Sequence, residues 1–131
     1  MSYYGKVYSV TNQIKITKEI ILMREAVIVS TARTPIGKAY RGSFNNTHAQ
    51  TLAGHSISEA VKRAKVEPSD IDDVVLGAAA QQGTQQGNIA RQSLLRAGLP
   101  TSVAGMSVDR QCASGMMAIA TAAKQIIDDG M

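Results

Sequence analysis

The sequence predicts an α/β fold built from parallel βαβαβα units. Three short apolar runs have the length and composition of buried strands, and each precedes a stretch whose apolar residues recur at helical spacing. Proline and most of the glycines lie in the connecting segments, where turns are expected. Strands that alternate with helices pair in parallel and have both faces covered. Right-handed crossovers then fix most of the topology.

The first unit is predicted as a buried strand at residues 26–30, a long loop at 31–46 and a helix at 50–65. The strand follows from the β-branched run Ala-Val-Ile-Val-Ser, and the loop follows from Pro35 and Gly37. The helical stretch has one apolar face and ends in a group of basic residues, whose charge suits the end of the helix dipole.

The second unit is predicted as a strand at residues 73–79, a glycine-rich loop, and a helix that runs from Asn88 as N-cap to residue 97. The third is predicted as a strand at 103–108 followed by a helix at 112–129, which Gly130 ends. This last helix is apolar nearly all round, which is typical of a helix enclosed in a larger protein. A three-stranded parallel sheet would also have open edges. We therefore expect the chain to be the front half of a longer protein.

Composition excludes several functional classes. The 131 residues suit one domain, and the core must be aliphatic because aromatic residues make up only 4%. The net charge of +4 is spread over scattered Lys and Arg, so nucleic acid is not an expected partner. No apolar run is long enough to span a bilayer, so no membrane association is expected. A single cysteine suits a reducing compartment, and we expect a cytoplasmic protein.

A boundary is predicted before Met23. Residues 1–22 hold three of the four tyrosines and fit neither a signal peptide nor a transit peptide, since they lack a continuous apolar core and contain Glu19 but no arginine. We interpret residues 1–22 as an extension of unassigned role and residues 23–131 as the domain.

The only cysteine, Cys112, lies between the third predicted strand and the third predicted helix. Ligands of open α/β sheets bind at this carboxyl end of the strands. The start of a helix offers free backbone N–H groups and a partial positive charge, which favour a thiolate and can stabilise an oxyanion. The small residues Ser114 and Gly115 leave room for a substrate. The residues themselves leave two alternatives open, a nucleophile and a small core residue.

Other candidate groups carry weaker signals. His48 and His55 are the only histidines, and surface positions fit them better than a role as general base. The loop at residues 81–87 lacks the spacing of a phosphate-binding glycine motif, and the aspartates around residue 72 fit a turn. No Cys/His set for zinc is present. We therefore expect no bound cofactor and no metal site.

Four stretches, in order, make the chain from Met23 onward resemble the N-terminal part of thiolases, the acyl-CoA C-acyltransferases. They are STARTPIG at residues 30–37, DIDDVVLG at 70–77, GNIARQ at 87–92 leading to RAGLP at 96–100, and DRQCASG at 109–115. The resemblance implies that residues 23–131 are a partial thiolase N-terminal domain. It also implies a layered fold of two similar α/β halves, with the helix after Cys112 in the buried middle layer.

The resemblance further implies that Cys112 is the acyl-accepting nucleophile, with its own backbone N–H in an oxyanion hole. The enzyme would cleave a 3-ketoacyl-CoA with CoA, or condense acetyl-CoA in reverse, through an acyl-cysteine. Coenzyme A is then a substrate and not a cofactor. The DRQCASG sequence is closer to the broad 3-ketoacyl-CoA thiolases of fatty-acid β-oxidation than to the biosynthetic enzymes. The complete enzyme is implied to be a homodimer or homotetramer.

The sequence departs from the family in what it lacks. The family's Gly-His-Pro histidine, Cys-x-Gly cysteine and CoA-gripping insertion are absent from these residues, and His48 and His55 match neither motif. We expect the missing C-terminal half to supply them, and the chain alone to be inactive and poorly soluble. Two alternatives remain: a ketoacyl-synthase-type condensing enzyme of the same fold, and a non-catalytic fragment with a structural cysteine.

Overall fold

The structure is a computed structural model that describes residues 24–131. The predicted extension at residues 1–22 lies outside these described residues. Three helices and two strands alternate along the rest of the chain: α1 (Ala49–Ala64), β1 (Asp73–Gly77), α2 (Ile89–Arg96), β2 (Ala104–Val108) and α3 (Ser114–Lys124), which continues into one π-helical turn (Gln125–Asp129).

The two strands form a parallel sheet, as the sequence predicts. Asp73 lies opposite Ala104 and Gly77 lies opposite Val108. One further hydrogen bond, from the Ala78 N–H to the Val108 carbonyl at 2.9 Å, extends the ladder beyond the end of β1. Helix α2 connects the two parallel strands, so β1, α2 and β2 form a βαβ unit, and the α/β fold class is confirmed.

Helices α2 and α3 cover opposite faces of this sheet. Side chains of a strand point alternately to its two faces. On one face, Val74 contacts the core around α2, and a Cβ on Gly105 would lie 2.8 Å from the backbone nitrogen of Arg91 in α2. On the other face, Gly77 lies directly against the backbone of Ser114 in α3. The two helices therefore need glycine at different strand positions for their close approach.

The hydrophobic core lies between α1, α2 and the α2 face of the sheet. Leu94 is fully buried, with Leu99 and Val103 next to it at 6% and 1% exposure. Helix α2 starts as predicted, because the side-chain oxygen of Asn88 accepts a hydrogen bond from the Arg91 N–H at 3.1 Å.

The strand predicted at residues 26–30 is wrong. Its backbone pairs with neither β1 nor β2, and its three β-branched side chains are 67%, 78% and 70% exposed (Val27, Ile28 and Val29). Side chains hold the segment against α1: the Ser30 hydroxyl donates to the Ala60 carbonyl at 2.6 Å, and Arg63 donates to the Thr31 carbonyl at 2.8 Å. A β-branched run favours a strand, but a strand also requires a hydrogen-bonded neighbour, which the described residues do not provide.

Helix α3 begins at Ser114, two residues later than the predicted start at Cys112. Only Ser114 and Ala118 of this helix are buried. Its outer face is apolar and open, with Met116 and Ile119 at 76% and 63% exposure. A cavity of about 360 Å³ separates part of this face from residues 26–28. The predicted apolar character of the helix is thus present, while the described residues cover only one side of it.

Candidate active site

Cys112 lies in the short turn that joins β2 to α3. Its thiol is free and exposed. The turn follows the carboxyl end of β2 directly and ends at Ala113, the N-cap residue of α3. The strand-to-helix placement predicted from the sequence is therefore confirmed, although Cys112 stands just ahead of the helix and outside its first turn.

The residue before the cysteine has an unusual backbone conformation. Gln111 has φ 51°, in the left-handed region of the backbone that residues other than glycine rarely adopt. Two other non-glycine residues in the described range have positive φ: Lys65 ends helix α1, where a left-handed residue is common, and Tyr40 lies in the long loop. The left-handed residue at 111 reverses the chain sharply, so that β2 can end and α3 can start within a few residues.

Hydrogen bonds hold this turn from several sides. The Gln111 N–H donates to the side chain of Asp109 at 2.9 Å, and the Ala113 N–H donates to the Arg110 carbonyl at 3.1 Å. The Gln111 carbonyl accepts two bonds from Ser114, one from its N–H at 3.1 Å and one from its hydroxyl at 2.6 Å. The Ser114 hydroxyl in turn accepts from the Arg110 N–H at 2.9 Å.

Ser114 is fixed by close packing as well as by hydrogen bonds. Only 4% of the residue is exposed, and its backbone lies so close to Gly77 that a Cβ at position 77 would collide with it. In contrast, a Cβ on Gly115 would meet no atom within 4 Å. The end of β1 therefore packs against the start of α3. The side of the helix at Gly115, three residues after the cysteine, remains open.

The structure does not bring either histidine into this turn. His48 occupies the N-cap position of α1 without a side-chain capping bond, and it is exposed. Its neighbours in a surface cavity are loop residues and Thr84. His55 is exposed along α1. Among residues 24–131, no group of three or more His, Cys, Asp or Glu side chains is arranged to hold a metal ion.

Sequence reasoning missed one feature of the Cys112 turn and one of the βαβ unit that leads to it. One is the left-handed Gln111, for which the sequence carries no signal, since glutamine is not typical of that region. The other is the side chain of Asn88, which bonds to β2 as well as capping α2: its amide donates to the Gly105 carbonyl at 2.6 Å, and its oxygen accepts from the Ser107 hydroxyl at 3.1 Å. Only the capping role of Asn88 was predictable.

None of the helices in the described range is long and apolar enough to cross a bilayer.

Comparisons with known proteins agree on one family. A family model described as "Thiolase, N-terminal domain" matches residues 26–130. The 3-ketoacyl-CoA thiolase of Bacillus subtilis is 43% identical over 105 residues, which are 80% of this chain and 27% of that protein. The 3-oxoadipyl-CoA/3-oxo-5,6-dehydrosuberyl-CoA thiolase of Escherichia coli is also 43% identical over 105 residues, covering 79% of this chain and 26% of the relative.

A solved structure gives the same result for the fold. The crystal structure of the Bacillus anthracis acetyl-CoA acetyltransferase superposes with a TM-score of 0.74 and 44% sequence identity, over 80% of this chain and 26% of that one. The chain thus spans about a quarter of the length of the relatives that it matches. The parallel α/β arrangement and the family match over residues 26–130 together establish that this chain belongs to the thiolase family, in the part that forms the N-terminal domain.

Proposed function

We propose that this chain provides the nucleophile of an acyl-CoA C-acyltransferase of the thiolase type, and that Cys112 is that nucleophile. The observation that carries the proposal is the exposed thiol of Cys112 at the carboxyl end of a parallel strand, immediately before a helix, in a thiolase N-terminal domain. Backbone N–H groups at the start of a helix favour a thiolate. The family match favours this reaction over that of a ketoacyl-synthase-type enzyme.

The proposed reaction is a two-step acyl transfer. The Cys112 thiolate attacks the 3-keto carbon of a 3-ketoacyl-CoA, the bond between the α and β carbons breaks, and the acetyl-CoA enolate that leaves takes up a proton. The acyl-cysteine is then attacked by the deprotonated thiol of CoA, which releases Cys112 and a shortened acyl-CoA. Covalent catalysis of this kind divides one difficult carbon–carbon step into two easier ones. The reverse direction condenses two acetyl-CoA molecules.

The described residues supply only part of this chemistry. No histidine lies in the Cys112 turn, and the sequence has no second cysteine to protonate the leaving enolate. We propose that the remaining acid and base groups, and the CoA-binding segment, lie in sequence corresponding to the rest of the thiolase relatives. Residues 1–131 alone are then inactive, and the complete enzyme is a cytoplasmic homodimer or homotetramer.

A chimera tests this proposal. Residues 26–130 of this chain would replace the matching segment of the B. subtilis 3-ketoacyl-CoA thiolase, to which they align at 43% identity. We expect the chimera to catalyse thiolysis of acetoacetyl-CoA. Replacement of Cys112 by Ser should lower kcat by at least about a thousandfold, since the acyl-accepting group is removed.

Two controls make the chimera experiment decisive. His55→Ala in the same chimera should leave kcat unchanged, because that imidazole is on the surface of α1. A folded Cys112→Ser chimera that retains the rate of its parent would show that the thiol is not the nucleophile. Thiolysis by residues 1–131 without any added segment would contradict the requirement for groups from outside this sequence.

A further inference from the structure

We infer that Ser114 is a positioning residue for Cys112: its buried hydroxyl holds Gln111 in the left-handed conformation and so presents the thiol at the start of α3. The inference rests on the proposed function, since it explains how the nucleophile of that reaction is placed. It assigns a role to a side chain that the sequence marks only as small.

The first step of the argument is the strain at Gln111. A residue other than glycine in the left-handed region is strained and persists only when its surroundings enforce it. Gln111 itself is exposed, so packing of its own side chain does not enforce its conformation. The enforcing contacts must come from the backbone and from the neighbours of the turn.

Ser114 supplies the contact that joins both sides of the strained residue. Its hydroxyl accepts from the Arg110 N–H at 2.9 Å, before Gln111, and donates to the Gln111 carbonyl at 2.6 Å, after the strained φ. The backbone N–H of Ser114 bonds to the same Gln111 carbonyl at 3.1 Å. One side chain thus bonds to the carbonyl that directly follows the rotation about Gln111 and to the Arg110 N–H one peptide unit before it, so it ties together the backbone on the two sides of Gln111.

The position of the hydroxyl is itself fixed. Ser114 is 4% exposed and its backbone rests on Gly77, so packing against β1 fixes the place from which the hydroxyl reaches the turn. The other buried serine of the described chain, Ser93, is a useful contrast because its hydroxyl is buried and has no hydrogen-bond partner. The described residues thus include two buried serines, of which only one is bonded to a strained turn.

The test measures the rate of Cys112 alkylation by iodoacetamide near neutral pH in the full chain. We expect the wild-type thiol to react faster than free cysteine near neutral pH, and Ser114→Ala to slow alkylation by about fivefold or more, because the thiol leaves the helix start. Ser93→Ala is the matched control and should keep the wild-type rate.

Two substitutions at the exposed Gln111 separate positioning from a general loss of structure. Gln111→Asn in the Ser114→Ala background should restore much of the rate, because asparagine tolerates the left-handed region. Gln111→Val alone should slow alkylation as Ser114→Ala does, since a β-branched residue disfavours that region, and it leaves the buried Ser114 intact even if Ser114→Ala fails to fold.

The outcomes distinguish this inference from the proposed function. A wild-type thiol no faster than free cysteine would count against the nucleophile. The positioning role of Ser114 is then judged by hydrogen exchange at the Arg110 amide, which Ser114→Ala should accelerate and Ser93→Ala should not. Unchanged exchange at Arg110, unchanged alkylation in both Ser114→Ala and Gln111→Val, or a loss of rate that Gln111→Asn does not restore would each overturn the positioning role.

Discussion

The two faces of the β1–β2 sheet are packed very differently. On the α2 face, Ile89, Leu94 and Val103 are exposed by 1% or less. On the α3 face, the helix covers β1 but leaves its own outer side open, with Met116 76% exposed. The Cys112 turn connects these two regions. Stability is therefore concentrated on one face, while the proposed nucleophile Cys112 lies at the edge of the less covered face, in a turn that local hydrogen bonds hold.

The largest expected effect tests the core on the α2 face. Leu94→Ala should lower the free energy of unfolding by about 2–5 kcal/mol, because the Leu94 side chain is fully buried and its removal leaves a cavity in the core. Ile119→Ala on the open side of α3 should change it by no more than about 0.5 kcal/mol. Urea unfolding of both variants measures the difference. Equal losses would contradict the contrast between the two faces.

The next effect concerns the contact between β1 and α3. Gly77→Ala should cost about 1–3 kcal/mol, because the added Cβ would collide with the Ser114 backbone. Gly115→Ala, at the residue after Ser114, is the control, because a Cβ there would meet no atom within 4 Å. It should be neutral or stabilise the protein by about 0.5–1 kcal/mol. Thermal unfolding distinguishes the two. A Gly77→Ala protein as stable as its parent would show that α3 is free to shift on the sheet.

A smaller effect is expected at the start of α2. Asn88→Ala should lower the free energy of unfolding by about 1–2 kcal/mol, since it removes the cap bond to the Arg91 N–H together with the bond to the Gly105 carbonyl. Asn88→Asp is the informative partner variant, because it keeps the capping oxygen and loses the amide donor. If both variants lose the same free energy of unfolding, the bond to the Gly105 carbonyl accounts for most of the loss. If Asn88→Asp is as stable as the parent, the cap bond to the Arg91 N–H does.

The elements on the α2 face were predictable because each depends on nearby residues. Helical spacing, the Asn88 cap and the break after residue 97 are local signals, and the structure follows them. The strand predicted at residues 26–30 failed because pairing depends on a distant partner, and the pattern of a buried strand does not say whether that partner is present. Helix α3 is buried on only one side, because burial of its other side also depends on residues distant in sequence, which the described range does not provide.

The candidate site, like the fold, was predictable from the sequence only in part. The strand-to-helix position of Cys112 followed from the order of predicted elements, and the family resemblance added its implied role. The left-handed Gln111 and the double role of the Ser114 hydroxyl were not predictable, because both depend on the path of the backbone within the turn and on the contact with Gly77 in another strand. The contacts that hold the Cys112 turn were thus harder to predict from sequence than the position of Cys112 itself.

The most direct test of the account is to look for the acyl group on Cys112. The chimera with the B. subtilis thiolase would be mixed with acetyl-CoA, quenched in acid and digested, and the peptide that contains Cys112 would be analysed by mass spectrometry. We predict that this peptide carries one acetyl group, that the adduct disappears when CoA is added, and that Cys112→Ser abolishes it. An active chimera whose acetyl group is found on another residue, or on none, would contradict the assignment of Cys112 as the nucleophile.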